Sequence, residues 1–298
     1  MPKPRARQAK QASADPFRAV RFWLWLTAAG VFAAFVGGEA RLSETRPAIG
    51  QWTPAAGALF ALPLLWFVAR REISDAFRRR LAVIVALVCL QGLAGWWMAP
   101  SAFVHRVDAA QGRLALQLLL AALTFSVTIW SAVGLAPNYR DPLGPDARAF
   151  RLEAGALLTL VLAQIGLGGL VSGLDAGFTY NTWPLMDGRF IPPRADLFFQ
   201  TPWAANFVDN IAMVQLQHRL AAYVALALSL FHAFHIDREK VAKRAVLRAR
   251  LLAVLVATQA VLGVIAVLLV APLPVALAHK AFALMVLAMA TIHLRKLG

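Results

Sequence analysis

The chain has 298 residues, 60% of them hydrophobic and 15% charged, with a mean hydropathy of +0.63. A soluble domain carries about 25% charged residues, so this composition excludes an ordinary water-soluble fold. The formal charge of +15 invites a nucleic-acid reading that its distribution excludes below, and the single cysteine, Cys89, excludes an intrachain disulfide and a cysteine-built zinc site.

Residues 1–19 form a basic tail of Pro, Lys, Arg, Gln and Ala that reads as disordered and cytoplasmic. No small-residue cleavage site follows it, so the first apolar stretch reads as an uncleaved anchor. A bilayer-spanning helix needs about 20 apolar residues. Seven stretches qualify, at 20–38, 81–99, 113–135, 152–173, 212–235, 251–271 and 275–293. An eighth, 52–69, is short and carries Pro63.

Charge distribution decides whether the short stretch spans. With eight spans and the N-terminus inside, 22 of the 30 Lys and Arg residues fall in inside segments and six in outside loops. Arg219 and Lys280 remain within the membrane. Cytoplasmic loops attract Lys and Arg, and deleting the short span inverts every later loop. The sequence therefore predicts eight spans with both termini cytoplasmic, in an inner membrane of the bacterial type. The basic charge is a topology signal.

Eight spans divide into two sets of four, an N-terminal half at 20–135 and a C-terminal half at 152–293. The third span carries Gln91-Gly-Leu-Ala-Gly95 and the seventh Gln259-Ala-Val-Leu-Gly263. Equivalents lie four helices apart and share orientation, which predicts an all-α membrane protein built as a parallel repeat of two four-helix bundles. Such bundles place cofactors in their cores.

His218-Arg219 and His279-Lys280 sit at similar depth in the sixth and eighth spans, about 7–10 Å below the outer boundary. An imidazole inside a bilayer is costly and usually functional. Two at one depth on different helices suit axial ligation of one haem iron. Arg219 and Lys280 are long enough to reach headgroups or haem propionates. The plainer alternative is two core histidines bonded to backbone carbonyls. In the N-terminal half Gln117 takes the place of His279, and the counterpart of His218 falls near Gly57-Ala58-Leu59, with no ligand. His232 and His293 follow the first pair by 14 residues each, on the same helix faces. A second haem there is possible, although histidines at helix ends beside basic loops are common. His105, in an outer loop, is given no role.

The stretch Gly168–Pro192 leaves the fifth span for the longest outer loop and brings Asp175, Tyr180, Asn181 and Trp183 to the outer mouth. This passage resembles the heme A synthase family. The resemblance extends over Gly37-Gly38-Glu-Ala-Arg41-Leu42-Ser43, Gln51-Trp52-Thr53-Pro54, Gln91 to Met98, Gln215-Leu-Gln-His218-Arg219 and His279-Lys280. It covers about residues 20–295. It implies oxidation of a methyl group of haem O to the formyl group of haem A. It also implies a haem b cofactor on His218 and His279, with Arg219 and Lys280 beside it. Haem O becomes the substrate in the N-terminal half, with Gln117, Asp175, Tyr180, Asn181 and Trp183 as candidates for its side of the site. A haem O synthase and cytochrome oxidase assembly become the expected protein neighbours. The chain departs from the family at Gln117, where a histidine is expected. It also departs at the second span, where a Glu-x-x-His-Arg-like passage has no match, so no catalytic residue is assigned. A haem-binding relative without the activity, or a b-type electron-transfer cytochrome with one or two haems, is the alternative. A transporter with parallel repeats ranks last.

Overall fold

A computed structural model describes residues 17–40, 52–69, 74–98, 110–136, 139–144, 147–239 and 241–298. The basic tail up to residue 16, the stretch 41–51 and His105 lie outside them. Among the described residues the chain is helical, with no strand beyond an isolated bridge between Met186 and Arg189. Its long helices are α1 (Arg18–Ala40), α2 (Trp52–Ala69), α3 (Asp75–Met98), α4 (Ala110–Gly134), α5 (Ala147–Gly173), α6 (Ile211–Arg238), α7 (Lys243–Leu268) and α8 (Leu273–Leu297). Six of these, α1 and α4 to α8, are long and apolar enough to cross a membrane.

Several helices outrun the apolar stretch that predicts them. α7 begins at Lys243, eight residues before the predicted span, through Lys243, Arg244, Arg248 and Arg250. Lys, Arg and Ala are strong helix formers, so the helix continues past the boundary that hydropathy marks. The outward faces stay apolar: Leu220, Val224, Leu230, Phe231 and Phe234 of α6 are all exposed. A helix apolar on every side suits a lipid environment.

The chief packing contacts form two rings. α1 packs on α2 and α4, and α3 packs on α2 and α4. α5 packs on α6 and α8, and α7 packs on α6 and α8. The rings meet where α4 packs on α5 and α8, and α1 on α8. At this seam a Cβ on Gly169 would lie 2.6 Å from the Ala115 Cα, so α4 and α5 touch backbone to backbone. Deeper in the seam the Ser126 and Thr291 hydroxyls share a buried hydrogen bond of 2.9 Å. Thr124, Thr128 and Ser131 instead donate to carbonyls one turn earlier in α4, which satisfies buried hydroxyls without a partner helix.

The long outer segment between α5 and α6 is folded. It contains short helical turns at Ala176–Phe178, Arg194–Leu197, Trp203–Ala205 and Asn206–Asp209. Asn210 ends it and caps α6, its side-chain oxygen accepting from the Met213 amide at 3.1 Å.

Candidate functional site

In the ring α5–α6–α7–α8, α6 and α8 occupy one diagonal and α5 and α7 the other. His218 lies seven residues into α6 and His279 six into α8, about 10 Å and 9 Å below the outer helix ends. The structure thus brings the predicted pair to one level of one bundle.

The other diagonal supplies matched support. Gln164 on α5 and Gln259 on α7 each lie nine residues before the helix end. The Gln164 side-chain amide donates to the His218 carbonyl at 2.9 Å, and that of Gln259 to the His279 carbonyl at 3.0 Å. One turn further out, a Cβ on Gly168 would lie 3.5 Å from the His218 Cε1 and a Cβ on Gly263 3.1 Å from the His279 Cε1. Each of the two histidines therefore has a glutamine on its backbone and a glycine against its ring. Gln164 was not singled out from the sequence, and Gln259 only as a repeat marker. The signal was present, since Gln-x-x-x-Gly recurs at 91–95, 164–168 and 259–263.

This donor set suits a haem. Iron in a planar macrocycle takes a nitrogen ligand on each face. Gly168 and Gly263 leave the ring edges they face free of a side chain at those two positions. The His218 Nδ1 is buried and has no partner.

The outer loop is fastened over this level. Arg219, buried beside His218, donates to the carbonyls of Tyr180 at 2.7 Å, Thr182 at 3.0 Å and Leu185 at 3.3 Å. It also donates to the Gln215 side-chain oxygen at 3.1 Å. Gln215 donates to the Ala176 and Thr179 carbonyls, both at 2.7 Å. Asn181 bridges the Gly177 and Val267 carbonyls at 2.8 and 2.9 Å, tying the loop to α7. The Trp183 indole donates to the Tyr223 hydroxyl at 3.1 Å. Asp175 is exposed with φ 52, at the turn out of α5. Tyr180, half-buried, has its phenol pushed up by burial and by the Asp196 and Asp187 carboxylates, so it remains protonated. Gln117 is half-buried on α4, two residues from the Ala115 contact with Gly169. Arg219 thus spends its described bonds on the loop, a role that depends on tertiary structure and is invisible in spacing alone.

The inner histidines are arranged differently. His232 and His293 are fully buried, and their Nε2 atoms are hydrogen-bonded at 2.8 Å. The His232 Nδ1 meets one Glu153 oxygen at 2.7 Å and the His235 Nδ1 meets the other at 2.7 Å. Direct contact between the two Nε2 atoms leaves no room for an iron between them. Glu153 therefore gathers α5, α6 and α8 in a polar knot about 21 Å from the outer pair. Among the described residues no group of three or more His, Cys, Asp or Glu side chains suits a metal ion.

Residues 51–291 match the COX15-CtaA family model, described as cytochrome oxidase assembly protein. The chain is similar to the heme A synthase of Beijerinckia indica subsp. indica, 39% identical over 335 residues that cover 94% of this chain and 93% of the relative. It is similar to the heme A synthase of Methylobacterium sp. (strain 4-46), also 39% identical, over 96% of this chain and 94% of the relative. Similarity to that of Chelativorans sp. (strain BNC1) reaches 46% over 80% of this chain and 65% of the relative. The 335 aligned residues exceed the 298 of the whole chain, so the Beijerinckia relative carries positions with no counterpart here.

Proposed function

The chain belongs to the COX15-CtaA family of cytochrome oxidase assembly proteins, and from that premise we propose that it is a membrane oxidoreductase of haem A biosynthesis that converts a methyl group of haem O to the formyl group of haem A. The carrying observation is the paired support of His218 by Gln164 and Gly168 and of His279 by Gln259 and Gly263. Haem b is the cofactor these histidines would hold, and it would supply the one-electron redox chemistry that no side chain offers. The protein holds the two imidazoles level, leaves the Gly168 and Gly263 positions beside the rings without side chains, and closes the outer end with the loop fastened by Arg219 and Gln215. Excluding water there strengthens each polar contact.

The two helix rings support a parallel repeat of eight spans, with an N-terminal half at 20–135 and a C-terminal half at 152–293. The excess of Lys and Arg in alternate segments supports cytoplasmic termini in an inner membrane. Haem O would occupy the N-terminal half, near Gln117 and beneath the loop bearing Asp175, Tyr180, Asn181 and Trp183. Lys280, beside His279, is assigned to the haem edge. A haem O synthase would supply the substrate, and cytochrome oxidase assembly would consume the product.

Gln117, standing where the repeat calls for a second histidine, favours one other reading: a b-type electron-transfer relative with a single haem. The test is expression in cells that make haem O and lack haem A, followed by extraction and chromatography of the haems. Haem A appears if the proposal holds. Haem b alone, co-purifying at one per chain with no rise in cellular haem A, establishes the cytochrome instead.

A further inference from the structure

Among the described residues, four buried atoms at the haem level lack partners: the acceptors Gln164 Oε1 and Gln259 Oε1, the ring nitrogen His218 Nδ1, and Arg219 Nε. An unmade hydrogen bond in a buried site carries the full desolvation cost of the group, and a bilayer supplies no water to relieve it. The two acceptors lie on α5 and α7, the helices that support the histidines. A histidine that ligates a metal through one nitrogen almost always donates the other N–H to an acceptor, which fixes the ring and raises its basicity.

The anchoring bonds settle which amide atom is free. Each glutamine meets a backbone carbonyl, His218 O or His279 O, which can only accept. The amide nitrogen must therefore point there, and the oxygen is left over. Gln259 already touches the His279 ring, its amide nitrogen 3.3 Å from Nδ1 and 3.2 Å from Nε2.

We propose that Gln164 and Gln259 are matched positioning residues that accept the Nδ1–H of His218 and His279 when their Nε2 atoms hold iron. This rests on the haem reading above and adds what sets the strength of the two ligands. An acceptor on Nδ1–H gives the ring imidazolate character. That favours ferric over ferrous iron and lowers the midpoint potential.

The test uses full-length, haem-loaded protein carrying Gln164→Glu, Gln259→Glu, Gln164→Leu or Gln259→Leu, read by redox titration and by the g-values of the ferric haem. A carboxylate acceptor should lower the potential, and leucine should raise it. Leucine should also weaken haem retention by about 10–100-fold, the usual effect of losing such a partner. Gln91→Leu is the control. It removes the third Gln-x-x-x-Gly glutamine, whose buried oxygen is likewise unpartnered, from the half without these histidines, and should leave potential and g-values unchanged. Should the leucine variants fail to load haem, the glutamate variants, equal in size to the parent, carry the test alone. Glutamate variants with unshifted potential and g-values overturn the proposal while leaving the haem reading intact. So does an equal shift from Gln91→Leu, since that marks a packing effect. Absence of a bis-histidine haem from the unmutated protein overturns the underlying reading itself.

Discussion

The outer and inner histidine pairs sit on the same two helices, 14 residues apart on each, yet their surroundings could hardly differ more. The inner rings bond to each other through Nε2 and the His232 Nδ1 meets Glu153, while the His293 Nδ1 is left without a partner. The outer rings face glycines, and glutamines with an unpartnered oxygen bond to the backbone behind them. The lesson is that contact between the two rings, rather than residue type or helix face, marks the inner pair as structural.

The difference can be attacked from either side. The largest effect is expected at Gly263. Valine there would drive its side chain into the His279 ring, whose Cε1 lies 3.1 Å from even a first Cβ, and haem content should fall to near zero in the purified protein. Gly263→Ala should be intermediate, at about the 1–3 kcal/mol of an overpacked core. Gly168→Ala should be milder still, because its 3.5 Å to His218 is ordinary contact. If Gly168→Ala empties the protein and Gly263→Ala does not, the assignment of the crowded ring is wrong.

On the inner side, Glu153→Ala strands the His232 and His235 nitrogens. It should cost about 1–3 kcal/mol, seen as a lower thermal midpoint in detergent, with the haem spectrum unchanged. A changed spectrum at full occupancy would erase the distinction between the pairs. Arg219→Met should release the Tyr180, Thr182 and Leu185 carbonyls and speed proteolytic nicking between residues 174 and 210, with much less effect on thermal stability. The smallest effect belongs to Trp183→Phe, which removes one exposed hydrogen bond to Tyr223 and should alter stability by at most about 1 kcal/mol.

Much of this was legible beforehand. Apolar length and the Lys/Arg bias located the helices, and α2 runs over Trp52–Ala69 despite Pro63. Depth counting brought His218 and His279 to one level. The support for them was harder to see. Gln164 lies inside an apolar stretch, where one polar residue carries no periodic signal, and it stands out only when three Gln-x-x-x-Gly passages are set side by side. The duty of Arg219 depends on where the loop carbonyls fall, which no spacing rule encodes. The Glu153 knot joins residues 79 and 82 positions apart, so its histidines looked like a possible second haem site until their contact was visible.

The central claim is that the outer pair alone grips iron. Electron paramagnetic resonance of the purified ferric protein and its four single His→Ala variants tests it most directly. His218→Ala and His279→Ala should each abolish the low-spin bis-histidine signal, whereas His232→Ala and His293→Ala should keep it at full intensity per haem. A signal that survives loss of His218 or His279, or that vanishes with His232 or His293, would contradict the account.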